Sequence, residues 1–196
     1  FRADYQRIPR LLLELESGTP VLATTATATS RVVDDLAEQL GSSTTVIRGP
    51  LARKSLQLAV VPHLNYGQRI AWVDEFLQTA EGSGIIYGLT VAVVEQLAAF
   101  LRERGHDVEP YTGQTPPDVR EEIEARLRAN SLKAVVATSA LGMGYDKPDL
   151  AFCIHVGSPD SPVSYYQQVG RAGRALDSAV QVRCLRDQRH RFVCRT

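Results

Sequence analysis

At 196 residues the chain is long enough to bury a core, and its composition, 44% hydrophobic and 22% charged, is that of an ordinary globular protein. Its 22 basic residues balance 22 acidic ones, so no global field draws in DNA or RNA, and a nucleic-acid function has to rest on local sites. Three cysteines, Cys153, Cys184 and Cys194, with no CxxC pair, fit neither a disulfide framework nor a zinc site; no apolar run approaches the ~18 residues of a membrane span, and no signal-peptide pattern is present. The expectation is a soluble cytoplasmic protein with no membrane partner and no metal ligands of its own.

Strand-like and helix-like stretches alternate along the chain, the signature of an α/β protein with a mostly parallel sheet flanked by helices. The first part reads as a helix near Tyr5–Glu16, a buried strand at Pro20–Thr24, a helix near Arg31–Leu40 and a short strand at Thr45–Ile47. Turn residues and charge between Arg48 and Ser55 suggest a linker, which places a boundary between residues 1–49 and residues 50–183. The second part reads as strands at Gln57–Val61, Gly84–Gly88, Asp107–Tyr111, Lys133–Thr138 and Ala151–Val156, with helices near Gln68–Thr79, Val91–Arg104, Pro117–Ala129 and Pro162–Val169. From Val180 the pattern begins like a strand and then loses its period. The run VQVRCLRDQRHRFVCRT holds five arginines in seventeen residues, and residues 184–196 read as an atypical basic tail, better explained by a lost reading frame or an unnatural end than by a solvated or phosphate-binding arm. The chain begins at Phe1 without a methionine and runs directly into a helix-like segment, so it reads as a partial sequence.

Two constellations carry chemistry. Gln167, Gly170, Arg171, Gly173 and Arg174 spell QxxGRxGR at the end of a predicted helix. Two arginines three apart share a face and can each fork N–H groups onto phosphate oxygens, while the glycines leave room for a close approach. By themselves these residues are equally those of a surface helix end with cations on its dipole. Upstream, Ala137–Pro148 reads ATSALGMGYDKP. Thr138 and Ser139 stand at a strand's carboxyl end, where open α/β sheets bind ligands. Gly142 and Gly144 expose backbone N–H groups, and Asp146 could accept from a ribose hydroxyl. In isolation each of these is also a common turn residue.

Together the two segments resemble motifs V and VI of superfamily-two helicases, and the spelling GMGYDKP with SYYQQVGRAGR is similar to RecQ. Further back, VLATTATAT resembles motif III, GIIYGLTVAVVEQLAAFL resembles motif IV with its helix, ARKSLQL resembles the opening of the second lobe, and FRADYQRI resembles the end of the aromatic-rich loop. The likeness runs from Phe1 to about Ala179. It implies RecA-like P-loop NTPase helicase lobes, the first partial and the second essentially complete, from an ATP-dependent DNA helicase that unwinds DNA and moves along a single strand in repair and recombination. It also implies roles. Arg171 and Arg174 would reach the ATP phosphates and Gln167 would order that face; Gly144, Asp146 and Gly170 would stand near the nucleotide; Thr138 and Ser139 would hold the nucleic-acid backbone. Thr25 and Thr27 would couple the lobes, and Phe1 and Arg2 would be the remnant of a DNA-sensing loop. The expected partners are ATP with Mg2+ and single-stranded or forked DNA, in the cytoplasm or on a bacterial nucleoid.

Departures from the pattern matter. Tyr111–Thr115 reads YTGQT where RecQ has YHAGL, and Ala175 and Leu176 replace the usual Asp-Gly. No GxxxxGK[ST] occurs, since Lys54, Lys133 and Lys147 are the only lysines and none has that context, and there is no DExH. The Mg2+ and triphosphate would therefore be held mainly by motifs this chain lacks, and the expectation is that it does not hydrolyse ATP alone. An RNA helicase and a catalytically inactive nucleic-acid-binding module stand as alternatives.

Overall fold

The computed structural model describes residues 7–16, 19–25, 29–41, 44–49, 55–141, 145–173 and 180–186. The chain divides into two compact units, Phe1–Leu51 and Ala52–Thr196.

The first unit holds α1 (Ile8–Leu13) and α2 (Ser30–Leu40). Thr29 caps α2, its Oγ1 accepting from Val32 N at 3.4 Å. The strands expected at 20–24 and 45–47 do not form, and Leu22 and Ile47 stay 87% and 93% exposed. A strand exists only as one of a pair, and a parallel pair needs cover on both faces. The described residues of this unit supply neither, so apolar sequence alone does not make the strand. For the same reason α1 is shorter than the expected Tyr5–Glu16 helix within its described residues, since six residues cannot sustain a helix by propensity.

The second unit is built as β1 (Leu56–Val61), α3 (Tyr66–Thr79), β2 (Gly84–Gly88), α4 (Val91–Glu103), β3 (Val108–Tyr111), α5 (Pro117–Arg128), β4 (Ala134–Ala137), β5 (Phe152–Val156), α6 (Pro162–Val169) and β6 (Val180–Leu185). Its six strands form one sheet in the order β1-β6-β5-β2-β4-β3, and every pair is parallel. The central strands β2, β4 and β5 are buried at every position, as continuous apolar runs should be when helices cover both faces. One face packs Ile86, Val136 and Ile154 against Val73 and Leu77 of α3 and Leu97 and Leu101 of α4. The other packs Ile85, Val135 and Cys153 against Ile123 and Leu127 of α5, Val169 of α6, and Leu141, Tyr145 and Leu150 from the segment between β4 and β5. Crossovers leading from β1 toward β3 use α3 and α4, and those leading back use α5 and α6, which is how right-handed connections fill both faces of a doubly wound sheet. The direction of the connections reverses between β2 and β5, the position at whose carboxyl ends open α/β sheets bind ligands.

Local chemistry sets the helix starts. Asn65 and Gln68 form a reciprocal capping box at α3, with both bonds at 2.9 Å, so α3 begins two residues before the expected Gln68. Ser161 Oγ accepts from Ser164 N at 3.1 Å at α6.

The tail expectation is corrected by β6. Val180–Leu185 pairs with β1 on one side and β5 on the other, and Val180, Val182, Cys184 and Leu185 are buried. Two residues assigned to a basic tail thus complete a core strand. Its arginine is accommodated because Arg183 lies on the partly exposed face, donating to Gln57 O at 3.0 Å.

An ionic cluster ties α3 to the turn after α4. Asp74 is buried, with His106 Nε2 at 2.7 Å and Arg104 Nε at 3.0 Å from its two oxygens. The His106 bond, then Arg104, hold its carboxyl below the ordinary range against the opposing effect of burial. A carboxylate whose pKa is lower in the folded than in the unfolded state adds stability that is complete above its unfolded value, about 3.9, and is lost as pH falls through the folded one. Urea-unfolding midpoints measured from pH 7 downward are expected to drop steeply below about pH 4, and Asp74→Asn is expected to flatten that drop.

Candidate functional site

The two sequence constellations meet on the face covered by α5 and α6. β4 ends at Ala137 and the chain turns at once. Thr138 Oγ1 accepts from Ala140 N at 3.3 Å and Thr138 O from Leu141 N at 3.3 Å, which leaves Thr138 half-buried and Ser139 exposed at the strand's carboxyl end. Gly144 lies outside the described residues, as do Phe1, Arg2, Thr27 and Arg174. Beyond the gap Tyr145 is buried and Asp146 exposed. This half of the loop is pinned from below, where buried Lys147 places Nζ 2.6 Å from Asp149 Oδ1 and Asn130 donates to Asp149 Oδ2 at 2.9 Å. Asn130 first, then Lys147, keep the Asp149 carboxyl below its usual range.

α6 faces two ways. Gln167 is exposed, and Gln168 turns inward to meet His155 Nε2 at 3.0 Å. Past Val169 the helical turn continues, with Gly170 N donating to Tyr166 O at 2.8 Å and Arg171 N to Gln168 O at 3.3 Å. Gly173 has φ +67, and its carbonyl accepts from Ser55 Oγ at 3.0 Å. A Cβ there would stand 2.8 Å from Leu56 Cδ2, so the last glycine of QVGRAG is required by both backbone and space.

Arg171 joins the two motifs. Its Nη1 donates to Tyr145 O at 3.2 Å, while Nε is buried with no partner among the described residues. No carboxylate among those residues pairs with it. A partly buried cation in that state is costly unless an anion arrives, and its remaining planar N–H groups suit phosphate oxygens. The residues present therefore fit a phosphate-bearing ligand. Among the described residues no group of three or more His, Cys, Asp and Glu could hold a metal ion.

Beneath Arg171 lies a buried aromatic layer that sequence periodicity does not reveal. His155 stacks on Tyr87 at 5.2 Å and meets Tyr165 at 5.0 Å. Burial pushes its pKa down to about 4, opposed by the Gln168 bond and then by the backbone of Arg183. Burial also raises the Tyr87 hydroxyl well above its ordinary value, with Cys153 adding to the shift and Arg171 opposing it; that hydroxyl donates to Leu141 O at 3.4 Å. The reversal point between β2 and β5 is likewise not legible in the sequence. There Gly157, at φ +114, lies against Leu89, with an Arg69 nitrogen beside it. Only strand order identifies that position. Of the remaining candidates, Gly170 caps α6 and Thr25 is an exposed residue of the first unit.

Comparisons with known proteins bear on the family and the fold. Residues 68–176 match the helicase conserved C-terminal domain. Over 177 residues the chain is 36% identical to the ATP-dependent DNA helicase RecQ of Bacillus subtilis, covering 89% of this chain and 29% of that one. It is 35% identical over 186 residues to the ATP-dependent DNA helicase Q-like 2 of Arabidopsis thaliana, covering 89% and 25%. The chain thus spans less than a third of either relative. Among solved structures, S. cerevisiae Dbp5 bound to RNA and ADP BeF3 superposes with a TM-score of 0.78 at 20% identity, over 96% of this chain and 50% of that one, a likeness of fold. The helicase Lhr of Mycobacterium smegmatis, bound to ssDNA and AMP-PNP, gives 0.65 at 25% identity over 74% and 21%.

Proposed function

The chain belongs to the helicase conserved C-terminal domain family and is RecQ-like over most of its length, and from that premise we propose that it is the ATP-responsive part of an ATP-dependent DNA helicase. The observation that carries this reading is Arg171: a partly buried guanidinium, unpaired with any described carboxylate, bonded to the loop that begins with half-buried Thr138 and exposed Ser139 at the sheet's carboxyl edge.

In this reading Arg171 and Arg174 meet the phosphates of ATP, Gln167 orders that face, and Gly144, Asp146 and Gly170 border the nucleotide. ATP supplies the phosphoanhydride whose hydrolysis drives movement; its Mg2+ is held by P-loop and DExH motifs that do not occur in these 196 residues. Thr138 and Ser139 hold a single strand by its phosphates, which supply most of the affinity, while Thr25 and Thr27 couple the lobes and Phe1 and Arg2 sense DNA. The work is unwinding of forked DNA in repair and recombination, in the cytoplasm or on the nucleoid.

The test is ATP hydrolysis and strand separation by the natural gene product, on matched DNA and RNA forks, beside the 196-residue chain alone. Expected are ATP turnover stimulated by single-stranded DNA, unwinding of the DNA fork in preference to RNA, and no turnover by the chain alone. Equal or better unwinding of RNA overturns the DNA assignment, and an inert gene product overturns the motor.

A further inference from the structure

His155 poses a problem of design. It is a polar ring sealed in an apolar layer, 1% exposed, between Tyr87 and Tyr165. Its Nδ1 is buried with no partner among the described residues, an arrangement that lowers stability relative to an apolar ring of the same shape. Phenylalanine would stack on both tyrosines equally well. What imidazole adds is a directional bond from Nε2 to Gln168 Oε1 at 3.0 Å, beside an attraction to the backbone of Arg183.

That bond reaches a sensitive place. Gln168 is the inward residue of α6 next to outward Gln167, and its carbonyl accepts from Arg171 N at 3.3 Å. Successive helical residues differ by about 100° of rotation, so holding Gln168 against the sheet sets the direction of Gln167. Through the turn it also sets Arg171, whose guanidinium then meets Tyr145 O. β5 is central and buried at every position, a rigid base for such a reference point.

We propose that His155 is a positioning residue: its bond to Gln168 fixes the rotation of α6, and so aims Gln167 and Arg171. The bond adds directional precision at some expense of stability. No reacting group needs to touch His155.

The expected signature separates positioning from packing. In the gene product, His155→Phe is expected to leave the thermal midpoint unchanged or higher, while DNA-stimulated kcat for ATP falls about tenfold, the scale of a small misplacement near the chemistry, and KM for ATP stays within about twofold. Gln168→Leu is expected to reproduce that loss. Gln168→Glu, which keeps an acceptor for Nε2–H, is expected to retain turnover. Turnover by His155→Phe within twofold of wild type overturns the proposal, as does equal loss in Gln168→Leu and Gln168→Glu. The kinetic arm rests on the helicase reading, so a second arm does not: in the 196-residue chain, the Arg171 Nε–H resonance is followed by NMR in wild type and His155→Phe. A displaced resonance supports the proposal even if the gene product proves inert as a motor, and an unchanged one overturns it.

Discussion

Arg171→Ala is expected to lower DNA-stimulated ATP turnover of the natural gene product about 10³-fold, the lower end of what removing a phosphate-facing arginine costs, or about 4 kcal/mol of transition-state stabilisation. The lower end is expected because the guanidinium is already partly committed. One of its nitrogens donates to Tyr145 O, so alanine removes that loop contact together with the phosphate contact proposed above. Charge on a transferring phosphoryl group is met by preorganised donors, and the preorganisation here is the Tyr145 bond and the buried environment around Nε. Arg171→Lys is expected to recover little, because an ammonium cannot hold a carbonyl and a phosphate in two fixed directions. The measurement is kcat and KM for ATP with and without single-stranded DNA. A loss confined to KM would make Arg171 a binding residue, and kcat and KM both within tenfold of wild type would remove it from the phosphate site altogether.

The largest expected effect on stability lies at Gly84. It opens β2 opposite Phe152 of β5, and a Cβ there would stand 2.2 Å from Phe152 Cδ2 and 2.3 Å from Cε2. The ring has nowhere to go. It is buried and meets Phe76 edge-on at 5.4 Å, and Phe76 is itself stacked on Trp72 at 5.2 Å. Both strands are central, so backbone relief would disturb their neighbours. Gly84→Ala is therefore expected to cost about 3 kcal/mol, the upper part of the range for overpacked cores, and to lower the thermal midpoint by roughly 10 °C. Gly113→Ala is the control. Nothing lies within 4 Å of its Cβ position, and its effect should stay within about 0.5 kcal/mol. Melting followed by circular dichroism decides between them, and equal midpoints for the two variants would refute this packing account.

Much of the site could be read along the chain because its two halves are each local. GMGYDKP follows a strand and QQVGRAGR closes a helix, and both contexts are periodic enough to recognise. What could not be read is the interior side of the same residues. Gln168 reads as one more polar residue beside Gln167 until β5 brings His155 beneath it, and Arg171 reads as a free cation until the loop after β4 folds onto it. Strand order hides Arg69 and Gly157 in the same way, since the reversal point between β2 and β5 belongs to no single segment.

The α/β succession of the second unit, the extents of β2, β4 and β5 to within a residue or two, and the family were legible along the chain, because runs of apolar residues, caps and motif spelling are properties of neighbours in sequence. Only the tertiary structure decided that Val180–Leu185 is a core strand while 20–24 and 45–47 are none, that the sheet runs β1-β6-β5-β2-β4-β3, and that Arg171 bonds to Tyr145. The reason is common to all three. A strand, a strand order and a hydrogen bond each require a partner distant in sequence, and which partner arrives is settled by packing.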